Sequence, residues 1–255
     1  LDNKCFIFHS PYGKKGVALT TAQRLKNQIT NASQLKDYQN VNLYTGIENV
    51  GDADLDCSEA IELADHFLMP AGIEFGREST PRSHRLFKIL DLNKNHTRTA
   101  FIFRSSDKDN VLLELRFNKH YTVCGGLYDN KEKVVHSKLK TLTELNYDQL
   151  HKNAAMLACA CALKRKYPKE GLRNDYIKLV AATLWQHKVV KEDGIKIIEA
   201  AGNHDEELRT RLKRVDNVYK KDSSEHIQGF PTLVKDFTWS EHEQADFKKI
   251  LYAIT

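Results

Sequence analysis

Residues 49–60 read NVGDADLDCSEA, and within them Asp52, Asp54 and Asp56 alternate with Ala53, Leu55 and Cys57. In a strand, successive side chains point to opposite faces, so the spacing predicts three carboxylates on one face and apolar groups on the other. Like charges so placed repel one another unless something cationic lies between them. A hard divalent ion is the simplest candidate, because Mg²⁺ takes oxygen ligands and is held by one or two carboxylates together with substrate phosphates. An exposed polar edge strand or an acidic turn is the plain alternative. In VLLELRF (111–117), Leu112, Glu114 and Arg116 share one face and Val111, Leu113, Leu115 and Phe117 the other. If this strand neighbours the first, Glu114 completes an acidic cluster able to hold two metal ions. In FGRESTPRSHRLFKI (75–89), Gly76, Pro81 and small polar residues predict a turn that gathers Arg77, Arg82, Ser83, His84 and Arg85. Phe87 and Ile89 then alternate as a strand. Such cationic and hydroxyl donors suit a triphosphate, whereas a satisfied core histidine is the alternative for His84.

The elements that must position these groups divide by texture. Up to about residue 145, short β-rich runs alternate with turns: TAFIF (99–103), VLLELRF and HYTVCG (120–125) read as strands. Helices are expected over 20–29 and 58–68, the second capped by Ser58. From about 148 the pattern becomes helical, beginning with the Ala-rich DQLHKNAAMLACACALKRKY, which reads as amphipathic. The expectation is an α+β domain over 1–147 followed by an all-helical domain over 148–255. The 255 residues suffice for one large domain or two small ones, each with a core. At 41% hydrophobic and 29% charged, the composition is that of a soluble globular protein. No apolar run reaches the roughly 20 residues of a membrane span, so no membrane partner is expected. No signal peptide is visible, and five cysteines form no CxxC pair or zinc spacing, which predicts free thiols in the cytoplasm. The net charge of +5 is compatible with a polyanionic partner without requiring one.

The ordered trio DADLD, GRESTPRSHRLF and LLELRF resembles the archaeo-eukaryotic primase superfamily, and more narrowly the primase-polymerase domains of phages, plasmids and mobile elements. There, a hydrophobic strand ends in DxD or DxE, a small-residue turn ends in His, and a carboxylate follows a hydrophobic strand. HYTVCGG is similar to the strand and glycine turn after that third carboxylate. The segments EGLRNDYIKLVAATLW, AGNHDEELRTRLKRVDNVYKK and IQGFPTL look like the helical domain that follows such catalytic domains. The resemblance implies an RRM-like catalytic domain and a helical accessory domain. It implies that Asp54, Asp56 and Glu114 hold catalytic Mg²⁺ or Mn²⁺, and that His84, helped by Ser83, Arg82, Arg77 and Arg116, contacts the incoming nucleotide. Asp52 stands where many relatives carry an apolar residue, so which aspartate pair binds metal stays open; the turn after Asp56 favours Asp54 and Asp56. Arg82 stands where many relatives have the serine of SxH, with Ser83 one position off.

The implied activity is primer synthesis on single-stranded DNA by two-metal nucleotidyl transfer from NTPs or dNTPs, in replication of a phage, plasmid or mobile element. Template would lie along cationic surface, with Lys14, Lys15, Arg24, Arg173, Arg209, Arg211, Lys213 and Arg214 as candidates. A solvated helix face is the alternative for the last four. A helicase module, on the same or another chain, is a further expected partner; none lies in these residues. Two other functions fit parts of the pattern: a two-metal nuclease, and a replication-initiation module that binds DNA without catalysis.

Overall fold

A computed structural model describes residues 7–11, 39–105, 110–128, 132–221 and 227–255. The helix expected over 20–29, and with it Lys14, Lys15 and Arg24, lies outside the described residues. Within them the chain is mixed α+β, as expected. The strands are β1 (Ile7–Pro11), β2 (Gln39–Tyr44), β3 (Val50–Leu55), β4 (Ile73–Arg77), β5 (Thr80–Ile89), β6 (Arg98–Ile102), β7 (Val111–Arg116), β8 (Tyr121–Gly125), β9 (Leu127–Tyr128), β10 (Glu132–Leu139) and β11 (Thr143–Leu145). The helices are α1 (Ser58–Phe67), α2 (Tyr147–Arg165), α3 (Arg173–Gln186), α4 (Lys191–Ala201), α5 (Leu208–Tyr219), α6 (Phe230–Asp236) and α7 (Glu241–Ile254). Two compact units emerge, one of residues 1–56, 69–100 and 114–149, the other of 57–68, 101–113 and 150–255.

The first unit is built on strands. The larger sheet runs in the order β6-β7-β3-β5-β4-β10-β9, with β11 joining β5 in parallel, and a three-stranded sheet runs β1-β2-β8. Strand β3 sits between β7 and β5, which gives the acidic strand a neighbour on each side. Its register with β5 is antiparallel and pairs Asp52 with Leu86 and Asp54 with His84. Strand β4 continues the row by pairing Phe75 with His84. Directly opposed residues share a face, so Asp52, Asp54, His84, Leu86 and Phe75 lie side by side. Leu43, Val50, Phe75, Leu86 and Val134 form a buried apolar cluster on which Val123 and Cys124 also pack, so β2 and β8 contribute to the same core.

The turn expected from Gly76, Pro81 and the small polar residues is narrower than that, a tight hairpin. Glu78 and Ser79 alone make the turn, and β5 already begins at Thr80. The close approach depends on Gly76, where an added Cβ would fall 2.0 Å from the Thr80 carbonyl oxygen. Extended pairing wins because Phe75, Leu86, Phe87 and Ile89 are all buried by it.

In the second unit, α1 opens at Ser58, yet Cys57 is its N-cap and the Ser58 hydroxyl donates to Glu59 at 3.2 Å. The expected Ser58 cap is therefore not made. Helix α2 is not amphipathic over its middle: every residue from Ala154 to Leu163 is buried. Helix α7 carries a capping box, with Ser240 Oγ accepting from the Glu243 N–H and Glu243 Oε2 accepting from the Ser240 N–H at 2.7 Å. Among the described residues, no helix is long and apolar enough to cross a membrane.

Candidate metal centre

Three carboxylates converge within the first unit. One ligand oxygen from each of Asp54, Asp56 and Glu114 lies within 4.8 Å of the others. Asp54 is near the end of β3, Asp56 follows it where the chain leaves the sheet, and Glu114 projects from the adjacent β7. The condition on which Glu114 joins the aspartates, that its strand lies beside theirs, is met, and Asp54 and Glu114 are both buried while Asp56 is exposed.

Asp52 has a different place. It is fully buried, and its Oδ2 lies 3.1 Å from His84 Nδ1. Its Oδ1 has no hydrogen-bond partner among the described residues. His84 Nδ1 also lies 3.5 Å from Asp54 Oδ1 and 3.3 Å from Thr122 Oγ1. The imidazole is stacked on Phe75, with centroids 4.8 Å apart and planes at 12°. His84 is therefore held on one edge by carboxylates and on one face by a ring. Nδ1 is committed to the carboxylates, leaving Nε2 for a ligand.

Cations surround the cluster. Arg116 reaches back from β7 to pair with Asp54 through Nη2 and with Glu114 through Nε, the latter at 3.0 Å. Arg98, at the start of β6, pairs with the other oxygen of Glu114. Four carboxylates (Asp52, Asp54, Asp56 and Glu114) thus face two guanidiniums and one imidazole, so with every carboxyl ionised the negative charges outnumber the positive ones. Two like charges 4 Å apart repel by about 4 kcal/mol at an effective dielectric near 20.

The protonation equilibria follow this imbalance. Desolvation, then Asp54 and Glu114, push the Asp56 carboxyl up to about 7. Burial raises Asp54 too, against the pull of His84 and Arg116. Glu114 is resisted by burial, but the Arg98 hydrogen bond and the Arg116 charge hold it below its ordinary range. Burial pulls His84 down, yet Asp52 and Asp54 more than offset it and hold the imidazole above its ordinary value. A set of hard oxygen donors short of positive charge fits Mg²⁺ or Mn²⁺.

The other expected residues scatter. Ser83 is buried, and as the strand neighbour of His84 it points to the opposite face. Arg82 Nε donates to buried Glu74 at 2.8 Å, so it serves the β4–β5 hairpin rather than the cluster. Arg77 closes β4 opposite Thr80. In the second unit, Arg173 donates to the Pro168 carbonyl and to Asp205, with its guanidinium over the Tyr167 ring. Arg211, expected on a template-binding surface, is instead buried and paired with Asp205 and Glu207, because its position on α5 faces the helix core. Arg209, Lys213 and Arg214 on the same helix are exposed. Sequence reasoning missed Arg98 and Thr122. Arg98 directly precedes an expected strand, and Thr122 lies within one, so their placement beside Glu114 and His84 required the strand order.

No protein-family model matches this chain, and no curated protein matches it.

Proposed function

We propose that the chain is a DNA-dependent primase-polymerase, with an RRM-like catalytic region followed by a helical accessory region. The observation that carries this reading is the convergence of Asp54, Asp56 and Glu114 beside a carboxylate-anchored His84. The resemblance of the three motifs to the archaeo-eukaryotic primases supports it. Asp54, Asp56 and Glu114 would hold two divalent ions, Mg²⁺ or Mn²⁺, which when bound activate a 3′-hydroxyl and neutralise the triphosphate.

The chain's own residues have distinct tasks. The three carboxylates would hold the cations at one face of the sheet, where positioning and charge supply most of the catalysis in phosphoryl transfer. His84, with Nδ1 held by Asp52, presents Nε2–H to a phosphate oxygen of the incoming nucleotide. Arg116 adds a second cationic donor at the same spot. Arg209, Lys213 and Arg214 offer an exposed basic stripe on α5 for the template backbone. A helicase module, whether on the same or another chain, would supply unwound template in the cytoplasm of the host.

The test is a primer-synthesis assay on unprimed single-stranded DNA with labelled nucleotides and Mg²⁺ or Mn²⁺, alongside an Asp54→Ala, Asp56→Ala double variant. Short products from the wild type that vanish in the variant are the expected result. Metal-dependent shortening of the template without synthesis would make it a two-metal nuclease. DNA binding with neither activity would make it a non-catalytic initiation module.

A further inference from the structure

Arg116 is the group most intimately engaged with the three-carboxylate centre. It sits two residues after Glu114 on β7, so both side chains leave the same face. Its guanidinium bridges one oxygen of Asp54 and one of Glu114, the two buried ligands. The Arg116 side chain is 22% exposed, whereas that of Arg98, which touches only Glu114, is 48% exposed. A guanidinium engaging these carboxylates uses lone pairs that a divalent ion would need, and its positive charge opposes a second cation at short range.

We infer that Arg116 is the internal counter-ion of the three carboxylates: a divalent ion displaces it, and the released guanidinium becomes the donor for the nucleotide's polyphosphate. This rests on the two-metal nucleotidyl-transfer reading and adds an order to it. Metal binding and anion binding are coupled through one side chain, so each ligand strengthens the other by the same factor. Arg116 also offsets part of the negative charge that Asp54 and Glu114 bring to neighbouring strands.

The experiment titrates the full chain with Mn²⁺ and follows the loss of the free-ion signal by electron paramagnetic resonance, with no substrate present. Wild type, Arg116→Gln, Arg98→Gln and Asp54→Asn are compared. Charge-assisted hydrogen bonds of this kind predict about tenfold tighter Mn²⁺ binding in Arg116→Gln. The half-exposed Arg98 predicts a gain of no more than about fivefold. A second measurement needs no variant: phenylglyoxal labelling of Arg116 in the wild type, read by peptide mass spectrometry, should accelerate when Mn²⁺ saturates the protein. Unchanged or weaker Mn²⁺ binding in Arg116→Gln, or labelling that slows with Mn²⁺, overturns the displacement while leaving the metal centre standing. Absence of binding in the wild type, with Asp54→Asn indistinguishable from it, overturns the metal reading and this inference together.

Discussion

Phe75 should hold His84 in place, and the cost of removing it can be worked from the structure. The ring is fully buried, stacked 4.8 Å from the imidazole on one side and inclined to His136 at 5.7 Å on another. Phe75→Leu keeps an apolar side chain of similar bulk, which by itself costs up to about 1.5 kcal/mol. Loss of the stacked pair adds about 0.5–1.5 kcal/mol, for a total of about 2 kcal/mol. Trp185 and Trp239 both belong to the second unit, so tryptophan fluorescence is a poor reporter of this change. Hydrogen exchange of peptides covering 73–89 reads the opening of β4 and β5 directly. A single substitution at His84 would confound the result, because it strands the buried Asp52 carboxylate. The double-mutant cycle Phe75→Leu, His84→Ala removes that term and should leave a coupling of at least about 0.5 kcal/mol. Additivity within about 0.3 kcal/mol would refute the claim that Phe75 positions His84.

Asp54→Asn is expected to weaken Mn²⁺ binding at least about tenfold more than Asp52→Asn, since Asp52 touches His84 rather than the cluster; equal losses by calorimetry would return Asp52 to the ligand set. Arg211→Ala should cost about 3 kcal/mol in urea denaturation, because it leaves Asp205 short of a partner, while affinity of the folded protein for single-stranded DNA stays unchanged. The triple variant Arg209→Ala, Lys213→Ala, Arg214→Ala should do the reverse, lowering the slope of log affinity against log salt by about 0.7 for each backbone phosphate that is no longer neutralised. Burial resists ionisation of Asp205, but Tyr167, the Glu207 N–H, Arg211 and Arg173 together hold its folded pKa below the ordinary value. Its contribution to stability is then fully present above the unfolded carboxylate range and is lost as pH falls through the folded value. Asp205→Asn should therefore lose stability at neutral pH and show a flatter acid limb than wild type, while parallel acid limbs would count against this role.

How far the molecule was legible beforehand depends on which physical signal each part carries. Strict alternation in DADLD and VLLELRF marked two strands with acidic faces, and both strands lie side by side in the sheet. The change to a helical pattern near residue 148 was also legible: the Ala-rich segment is α2, and among the described residues every later element is a helix. Helix α6, only seven residues long and opened by Pro231, was too short for any periodic pattern to show. The hairpin at 73–89 misled because Gly76, Pro81 and a run of polar residues are turn formers, whereas cross-strand pairing with buried Phe75 decided the outcome. The division of labour among the aspartates was illegible for a related reason. Alternation puts all three on one face, but only the register with β5 brings His84 opposite Asp54 and within reach of Asp52. Arg211 shows the same limit on a helix: four basic residues in six positions look alike until the neighbouring Asp205 selects one for burial.

The pairing of Glu114 with Arg116 bears on how the sheet can assemble at all. Asp54 and Glu114 are 60 positions apart, so the strands that carry them meet only after a long loop has closed, a slow and entropically costly event. Were β7 to arrive carrying a bare carboxylate, docking beside the aspartates of β3 would be opposed by like charge at the moment of encounter. Instead β7 carries its own cation two residues from its anion, and it approaches as a locally neutral segment whose positive end is attracted to Asp54. Strand association is thereby self-screened and requires no ion from solution. The acidic cluster can therefore form together with the sheet, its charge opposed from the start by an arginine of the same strand.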